Sequence, residues 1–171
     1  AVAFFEDLQV GQTAEATHLI EASVIEAFGH TVGDLNPLHF DEAYAATTPF
    51  GGRIAHGMLA GGYISALIAS ALPGPGSIYK SQTLDFLRAV RIGDQLVVRI
   101  EITALDEAKA QVTLSTVCTV GRKAMVRGEA VVFSSALGAS HLLQRGELVA
   151  RPVPELALHQ RGIQILTTEK V

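Results

Sequence analysis

The sequence predicts an α+β fold in which an antiparallel β-sheet wraps around one long central α-helix. Residues 54–79 contain no Asp, Glu, Lys or Arg, and a helix that is apolar on nearly every side is a buried one. After Ser77 the hydrophobic pattern changes to alternation, which indicates strands with one covered face. Because the helix and the strands both need apolar cover, we expect them to pack against each other.

The first elements along the chain are a strand and a helix. Residues 13–20 alternate as a strand does. Ser23 and Glu26 then have the spacing of a capping box, which predicts a helix over residues 23–32. Gly33 supplies the residue type that commonly ends a helix.

A turn and a second short helix follow. The Asn36-Pro37 pair predicts a turn, because proline disfavours helix for the residue before it. Asp41 can then cap a helix in the segment EAYAAT, residues 42–47. The long apolar helix comes next and is closed by LPGPG, residues 72–76.

Three alternating segments predict antiparallel neighbours, because the turns between them are short. They are QLVVRIEITAL, KAQVTLSTVCTV and KAMVRGEAVVF, at residues 95–105, 109–120 and 123–133. We therefore assign one domain to residues 1–135. Residues 136–171 form a C-terminal extension with weaker periodicity and two prolines, and its role is open.

Composition excludes several classes of function. The net charge of −4 argues against binding to nucleic-acid phosphates. The longest apolar stretch is interrupted by glycines and serines, so we expect a buried helix and no membrane span. Cys118 lies in an alternating segment, where a buried strand residue is favoured over a nucleophile. A single cysteine and an N-terminus without secretion-signal features predict a cytoplasmic protein.

The stretch GDLNPLHF contains a carboxylate and an imidazole that can act on one water molecule. A histidine near its neutral pKa can accept a proton, and a carboxylate beside it can orient the water. Pro37 turns the chain between Asp34 and His39, so the two side chains can converge. The alternative is a plain polar turn, since Asp and Asn are common turn formers.

A second candidate feature is AHGMLAGG, at the start of the long helix. Free backbone N–H groups at Gly57 could hold a developing oxyanion there. The alternative is that the glycines only allow close packing. We interpret His56 as a core histidine or an N-cap donor, and Ser65 as a serine bonded to the preceding turn of its helix. The sequence has no GxSxG, Walker loop, GxGxxG after a strand, or CxxC, so hydrolase, P-loop, dinucleotide and zinc motifs are lacking.

Taken in order, several segments resemble the MaoC-like (R)-specific enoyl-CoA hydratases of the hotdog superfamily. They are GDLNPLHFDEAYA, GGRIAHGMLAGG, LPGPGSIY, LDFLRAVRIGD and GEAVVF. The resemblance spans roughly residues 4–134, and GDxNPxH is its most specific motif. It implies a hotdog fold and a homodimer whose sheets join edge to edge.

The resemblance also implies the chemistry, which is the reversible syn addition of water to a trans-2-enoyl-CoA without a metal or other cofactor. The family's catalytic pair falls on Asp34 and His39. Its N–H that polarises the thioester carbonyl falls on Gly57, and its pocket serine falls on Ser65. We further expect Asn36 and Ile68 to contact substrate, with Ile68 beside Leu59 and Ile64 in an apolar acyl pocket, although core packing explains these apolar residues equally well.

Basic residues should meet the coenzyme A phosphates, and four are candidates: Arg53, Lys80, Arg88 and Arg91. Solvated surface charge explains each of them equally well. Other functions stay open. They are a hydratase or dehydratase for a branched or dicarboxylic acyl-CoA, a hotdog thioesterase, and an acyl-CoA-binding module without turnover.

Overall fold

The fold is an antiparallel sheet packed on one long helix, as predicted. The computed structural model describes residues 5–134 and 163–164. The strands are β1 (Thr13–Leu19), β2 (Ile78–Gln82), β3 (Asp85–Phe86), β4 (Gln95–Asp106), β5 (Gln111–Val120), β6 (Lys123–Phe133) and β7 (Ile163–Gln164). The helices are α1 (Ala22–Val32), α2 (Pro37–Phe40), α3 (Glu42–Ala46) and α4 (Gly57–Ser70), after a 3-10 turn at Phe5–Asp7. The strand order is β2-β6-β5-β4-β1-β7, with β3 also paired to β6, and every pairing is antiparallel.

The alternation predicted for β4, β5 and β6 is confirmed. The inward residues of β4 are buried: Leu96, Val98, Ile100 and Ile102. Gln111 departs from the alternation, because it is buried although the next residue, Val112, is buried as well; Lys80 Nζ donates to its Oε1 at 2.6 Å. The residues of β2 and β3 are almost all exposed, so no apolar alternation marks these strands in the sequence.

The long helix α4 packs against β4 and β1 in the middle of the sheet. Its buried side chains form the centre of the core: Leu59, Ala60, Ile64, Leu67 and Ile68. The sheet covers one face of the helix, and small or apolar residues on the opposite face are exposed: Met58, Gly62, Ala66 and Ala69. Among the described residues, no helix is long and apolar enough to cross a membrane.

The capping box predicted for α1 is wrong. The helix begins one residue earlier than predicted, at Ala22, so Ser23 lies inside its first turn. The N-cap is Glu21, whose extended backbone ends the preceding loop and whose side chain makes no capping bond. The other end is as predicted, because Gly33 adopts the left-handed conformation with φ 78° and donates its N–H to the Gly29 carbonyl.

The turn predicted at Asn36-Pro37 is a helix start. Asn36 is the N-cap of α2, and its side chain accepts a hydrogen bond from the Leu38 N–H. Pro37 occupies the first turn, where its missing N–H costs nothing. His39 therefore lies on a short helix. The cap predicted for α3 is confirmed, since the Asp41 side chain accepts from the Tyr44 N–H.

The predicted C-terminal extension, residues 136–171, lies outside the described residues apart from β7. That strand pairs with β1 through Glu15 and Ala16. The boundary after residue 135 stays a prediction.

Candidate functional site

A mostly apolar cavity of about 570 Å³ opens beside the start of α4. The first turn of α4 forms one wall, and residues 86–90 form another. Its floor includes core residues of the sheet, among them Leu96 and Val126. Asp34, His39 and His56 are the acid and imidazole groups in its lining.

The structure brings Asp34 and His39 together. A carboxylate oxygen of Asp34 and one ring nitrogen each of His39 and His56 all lie within 4.8 Å of one another. The left-handed Gly33 stops α1 just before Asp34, and the Asn36 cap starts α2 just after it. The chain thus reverses between two helices, and this reversal places the exposed carboxylate of Asp34 near the buried ring of His39.

The hydrogen bond of His39 assigns its tautomer. Its Nδ1 lies 2.8 Å from the carbonyl oxygen of Ile54, and a carbonyl can only accept, so Nδ1 carries the proton. In the neutral ring Nε2 is then the acceptor. His39 is buried, so its available lone pair is held at one fixed position on the cavity wall.

Arg53 holds the main chain of the same helix. Its Nε donates to the His39 carbonyl at 2.7 Å, and its Nη2 lies 3.2 Å from Glu26 Oε1 on α1. The Arg53 N–H also donates to Glu42 on α3. These bonds connect Arg53 to α1, α2 and α3. Because its side chain is also only 14% exposed, Arg53 is not a free cation for a phosphate.

His56 is a site residue that sequence reasoning did not place there. It precedes α4 as the N-cap but makes no side-chain capping bond, so the N-cap donor interpretation is wrong. Its Nε2 instead lies 3.0 Å from the Asp34 carbonyl oxygen, and its ring centroid lies 3.8 Å from that of His39. In the sequence, the one indication that His56 belongs to the site is its position immediately before Gly57. Its contact with the loop of Asp34 is visible only in the fold.

Gly57 begins α4 and lines the cavity. Its N–H is one of the first four in the helix, which have no acceptor within the helix. The ring of Phe86 covers the glycine so closely that a Cβ would lie 2.7 Å from it. Glycine at this position therefore keeps a backbone donor accessible beside an aromatic wall.

Three predicted substrate contacts do not reach this cavity. Ser65 is half-buried in the second half of α4, and Ile68 is packed in the core. Asn36 is exposed, and its side chain caps α2. Of the three predicted acyl-pocket residues, only Leu59 lines the cavity, while Ile64 lies in the core with Ile68.

Of the other predicted phosphate contacts, only Arg88 lies on the cavity. It is exposed, and its Nη1 donates to the Ala124 carbonyl at 2.7 Å. Lys80 bonds Gln111, and Arg91 lies at the turn before β4, where its N–H donates to Asp94. Arg88 is thus the cation best placed beside a ligand in the cavity.

Cys118 lies away from the site, as the sequence predicts for a strand residue. It is fully buried in β5, and burial raises the pKa of its thiol to about 12. A thiol held neutral in this way is a poor nucleophile.

Comparison with known proteins matches the chain to one family model. The model is that of the MaoC like domain, and it matches residues 7–124. An (R)-specific enoyl-CoA hydratase from Rhodospirillum rubrum is 46% identical over 135 residues, which are 79% of this chain and 94% of the relative. A 3-hydroxybutyryl-CoA dehydratase from Methylorubrum extorquens is 45% identical over 131 residues, which are 77% of this chain and 83% of the relative.

The structural comparison agrees with the sequence comparison. An unliganded R-hydratase from Pseudomonas aeruginosa superposes with a TM-score of 0.73 and 46% identity, covering 76% of this chain and 84% of that one. The predicted hotdog arrangement is thereby confirmed. The described site offers three groups that converge on one opening: a basic imidazole nitrogen, a carboxylate and a backbone N–H.

Proposed function

Because the chain belongs to the MaoC-like domain family, we propose that it is an (R)-specific enoyl-CoA hydratase. It is a hydro-lyase that adds water reversibly to a trans-2-enoyl-CoA and yields the (R)-3-hydroxyacyl-CoA. The observation that carries this proposal is the approach of the Asp34 carboxylate and a His39 ring nitrogen to within 4.8 Å at the wall of an apolar cavity. A water that bonds two groups at about 2.8 Å each spans a gap of about 4.5 Å, so this spacing suits a shared water.

In the proposed reaction His39 Nε2 accepts a proton as the water oxygen adds to C3 of the enoyl group. The bond from Nδ1 to the Ile54 carbonyl keeps Nε2 unprotonated and aimed. Asp34 holds the same water from the other side. A proton then reaches C2 on the same face, and we assign its delivery to the Asp34–His39 pair as a unit because the two groups share the water.

Negative charge moves to the thioester oxygen while the C3–O bond forms. The N–H of Gly57, at the positive end of α4, is the donor that stabilises this enolate. The apolar walls of the cavity strengthen the interaction, since charges attract more strongly where water is excluded. Arg88 at the cavity is the proposed contact for a coenzyme A phosphate.

The proposed chemistry needs no metal ion. His39 Nδ1 is occupied by the Ile54 carbonyl, and His56 Nε2 by the Asp34 carbonyl. His56 Nδ1 is buried. That nitrogen keeps a lone pair but is closed off from solvent, so the donors open to the cavity are His39 Nε2 and the Asp34 carboxylate, fewer than the three protein ligands usual in catalytic zinc sites.

We further propose that two copies of the chain pair along the β2 edge of the sheet. This edge strand presents backbone donors and acceptors that can continue a sheet. Its neighbourhood also exposes apolar side chains, namely Ile78, Tyr79 and Phe133. The predicted cytoplasmic location stays a prediction.

The decisive experiment is incubation with crotonyl-CoA while the enoyl absorbance is followed. A hydratase removes the absorbance, and chiral analysis of the product should give the (R)-alcohol. Release of free thiol would instead show thioester hydrolysis. If crotonyl-CoA binds tightly but is not turned over, an acyl-CoA-binding module is favoured. If turnover is restricted to branched or dicarboxylic substrates, a hydratase or dehydratase specific for those acyl-CoA esters is favoured.

The reverse reaction is a second use of the same site. A relative at 45% identity is named a 3-hydroxybutyryl-CoA dehydratase. Because the reaction is reversible, adding racemic 3-hydroxybutyryl-CoA should produce enoyl absorbance. Only the (R) half of the racemic substrate should be dehydrated.

A further inference from the structure

His56 is buried between aromatic rings with one nitrogen unused. It is 3% exposed, and its ring centroid lies 5.1 Å from that of Phe28 and 6.1 Å from that of Phe40. Among the residues that the structure describes, its Nδ1 has no hydrogen-bond partner. A phenylalanine or leucine would fill such a place without leaving a polar atom unpaired, so packing alone does not explain a histidine here.

What distinguishes the histidine is its single hydrogen bond. His56 Nε2 lies 3.0 Å from the main-chain oxygen of Asp34. That oxygen is an acceptor, so Nε2 carries the proton and Nδ1 is the bare nitrogen. The bond holds the backbone of Asp34, whose carboxylate accepts from the Asn36 N–H at 3.3 Å and lies at the cavity.

The Asp34 carbonyl also lies close to α1. A Cβ on Gly29 would lie 2.8 Å from the Asp34 oxygen and 2.5 Å from the Phe40 ring. Glycine at this point of α1 thus allows the Asp34 carbonyl and Phe40 to approach the helix closely. The carbonyl of Asp34 sits between α1 and the donor of His56.

The same imidazole also packs on His39. The two ring centroids are 3.8 Å apart and the rings are inclined by 31°. His39 can swing only about its side-chain torsions, and its Nδ1 bond to Ile54 together with the His56 ring restricts that motion. One residue therefore contacts both members of the pair.

We propose that His56 is a positioning residue, whose Nε2–H and ring together set the distance between the Asp34 carboxylate and His39. This role rests on the proposed hydratase function. Its effect is on the chemical step, because displacing a reacting group by an ångström can lower turnover about 100-fold.

Two variants separate the donor from the ring. His56→Phe keeps an aromatic ring against His39 and removes the donor. His56→Gln keeps an amide N–H near the position of Nε2 and removes the ring. We expect His56→Phe to lower kcat for crotonyl-CoA about 100-fold with KM changed less than about threefold, and His56→Gln to recover part of that loss, because it restores the donor without the ring.

A matched control is His18→Phe. His18 stacks on Tyr63 with ring centroids 3.9 Å apart and does not line the cavity. This control should retain kcat within about twofold, as expected for a stacked histidine that touches no reacting group. Thermal unfolding of all variants is measured alongside the kinetics.

The outcomes are distinct. Wild-type kcat in His56→Phe would overturn the positioning role, and so would a rise in KM with kcat unchanged, which would show direct substrate contact. If His56→Phe does not fold, His56→Gln is compared with His56→Asn, because the shorter amide of asparagine cannot reach the Asp34 oxygen. Equal kcat in these two variants would also overturn the positioning role. If the wild-type protein itself does not hydrate crotonyl-CoA, it is the proposed function that fails.

Discussion

His39 Nδ1 lies 2.8 Å from the carbonyl oxygen of Ile54, fifteen residues further along the chain. The bond joins α2 to the segment that leads into α4, so the proposed base and the proposed oxyanion donor are positioned by the same stretch of backbone. A carboxylate at Asp34 completes the site from the loop before α2.

Removing either member of the pair should abolish most turnover. We expect Asp34→Asn and His39→Gln each to lower kcat for crotonyl-CoA by about 10²–10⁴-fold, the usual contribution of a general acid or base. Fold and oligomeric state should be unchanged, as measured by thermal unfolding and gel filtration. Asp106→Asn, a change at a half-buried position on β4 away from the cavity, is the matched control. Hydration at the wild-type rate in both site variants would refute the assignment.

A methyl group at Gly57 should obstruct the oxyanion donor. The Cβ of Gly57→Ala would lie 2.7 Å from the Phe86 ring, so the ring must move and the access to the N–H changes. We expect kcat/KM to fall at least about 10-fold, within the range for weakening one oxyanion donor.

Gly62→Ala is the control for that change, because a Cβ at Gly62 meets nothing within 4 Å. It makes the same residue change further along α4. We expect unchanged kinetics and a gain of about 0.5–1 kcal/mol in the free energy of unfolding. Equal kinetic losses in the two variants would show that the loss does not come from the Gly57 N–H and would refute its role as the oxyanion donor.

Arg53→Lys should disturb both stability and turnover. Lysine cannot bond the His39 carbonyl and Glu26 through a planar fork, as the guanidinium does. We expect the free energy of unfolding to fall by about 1–2 kcal/mol, with a lower kcat because α2 is held less firmly. Arg127→Lys, which alters an exposed ion pair with Asp85, should change stability by less than about 0.5 kcal/mol. Chemical denaturation of the two variants tests the contrast, and indistinguishable losses would contradict it.

Cys118 should not react with iodoacetamide in the folded protein. Burial raises its pKa to about 12, so almost no thiolate forms near pH 8, whereas denaturant should expose a thiol of ordinary pKa. The pKa of this thiol is higher in the folded than in the unfolded protein. Its contribution to the free energy of unfolding is therefore fully present below about pH 8.5 and is lost as the pH rises towards 12. Mass spectrometry after labelling with and without guanidinium measures this, and rapid native labelling would contradict the burial.

Activity should survive removal of divalent metals. The Asp34, His39 and His56 donors lie within 4.8 Å of one another, but the proposed reaction uses His39 Nε2 and the Asp34 carboxylate to hold the reacting water and assigns no step to an ion. Dialysis against EDTA should leave kcat unchanged. A loss that zinc or another divalent ion restores would show that the cluster binds a required metal and would replace the water-sharing mechanism.

Much of the fold is predictable from local pattern. The alternation in β4 and the apolar helix α4 each follow from burial, which acts on residues close in sequence. Gly33 and Asp41 are equally readable, because the left-handed end of α1 and the cap of α3 depend on the residue at that position. Ser23 failed as a cap because the helix already begins at Ala22, so that Glu21, still extended, is the N-cap and Ser23 lies inside the first turn.

The candidate site is only partly predictable. The spacing of Asp34 and His39 permitted convergence, and the family resemblance pointed to their chemistry. Ser65 and Ile68 were assigned to substrate by resemblance, yet neither lines the described cavity. Arg53 was a candidate for phosphate binding, but its two acceptors come from α1 and α2 and cannot be identified from its own neighbours in sequence.

The sequence by itself determined which segments are buried, where several helices begin and end, and which residue types are available for acid–base chemistry. Only the tertiary structure decided the tautomer of His39 and the place of His56. Both depend on hydrogen bonds between residues 15 and 22 positions apart. Such bonds form where separate segments are packed together by the core, and that packing is a property of the whole chain and not of any one motif.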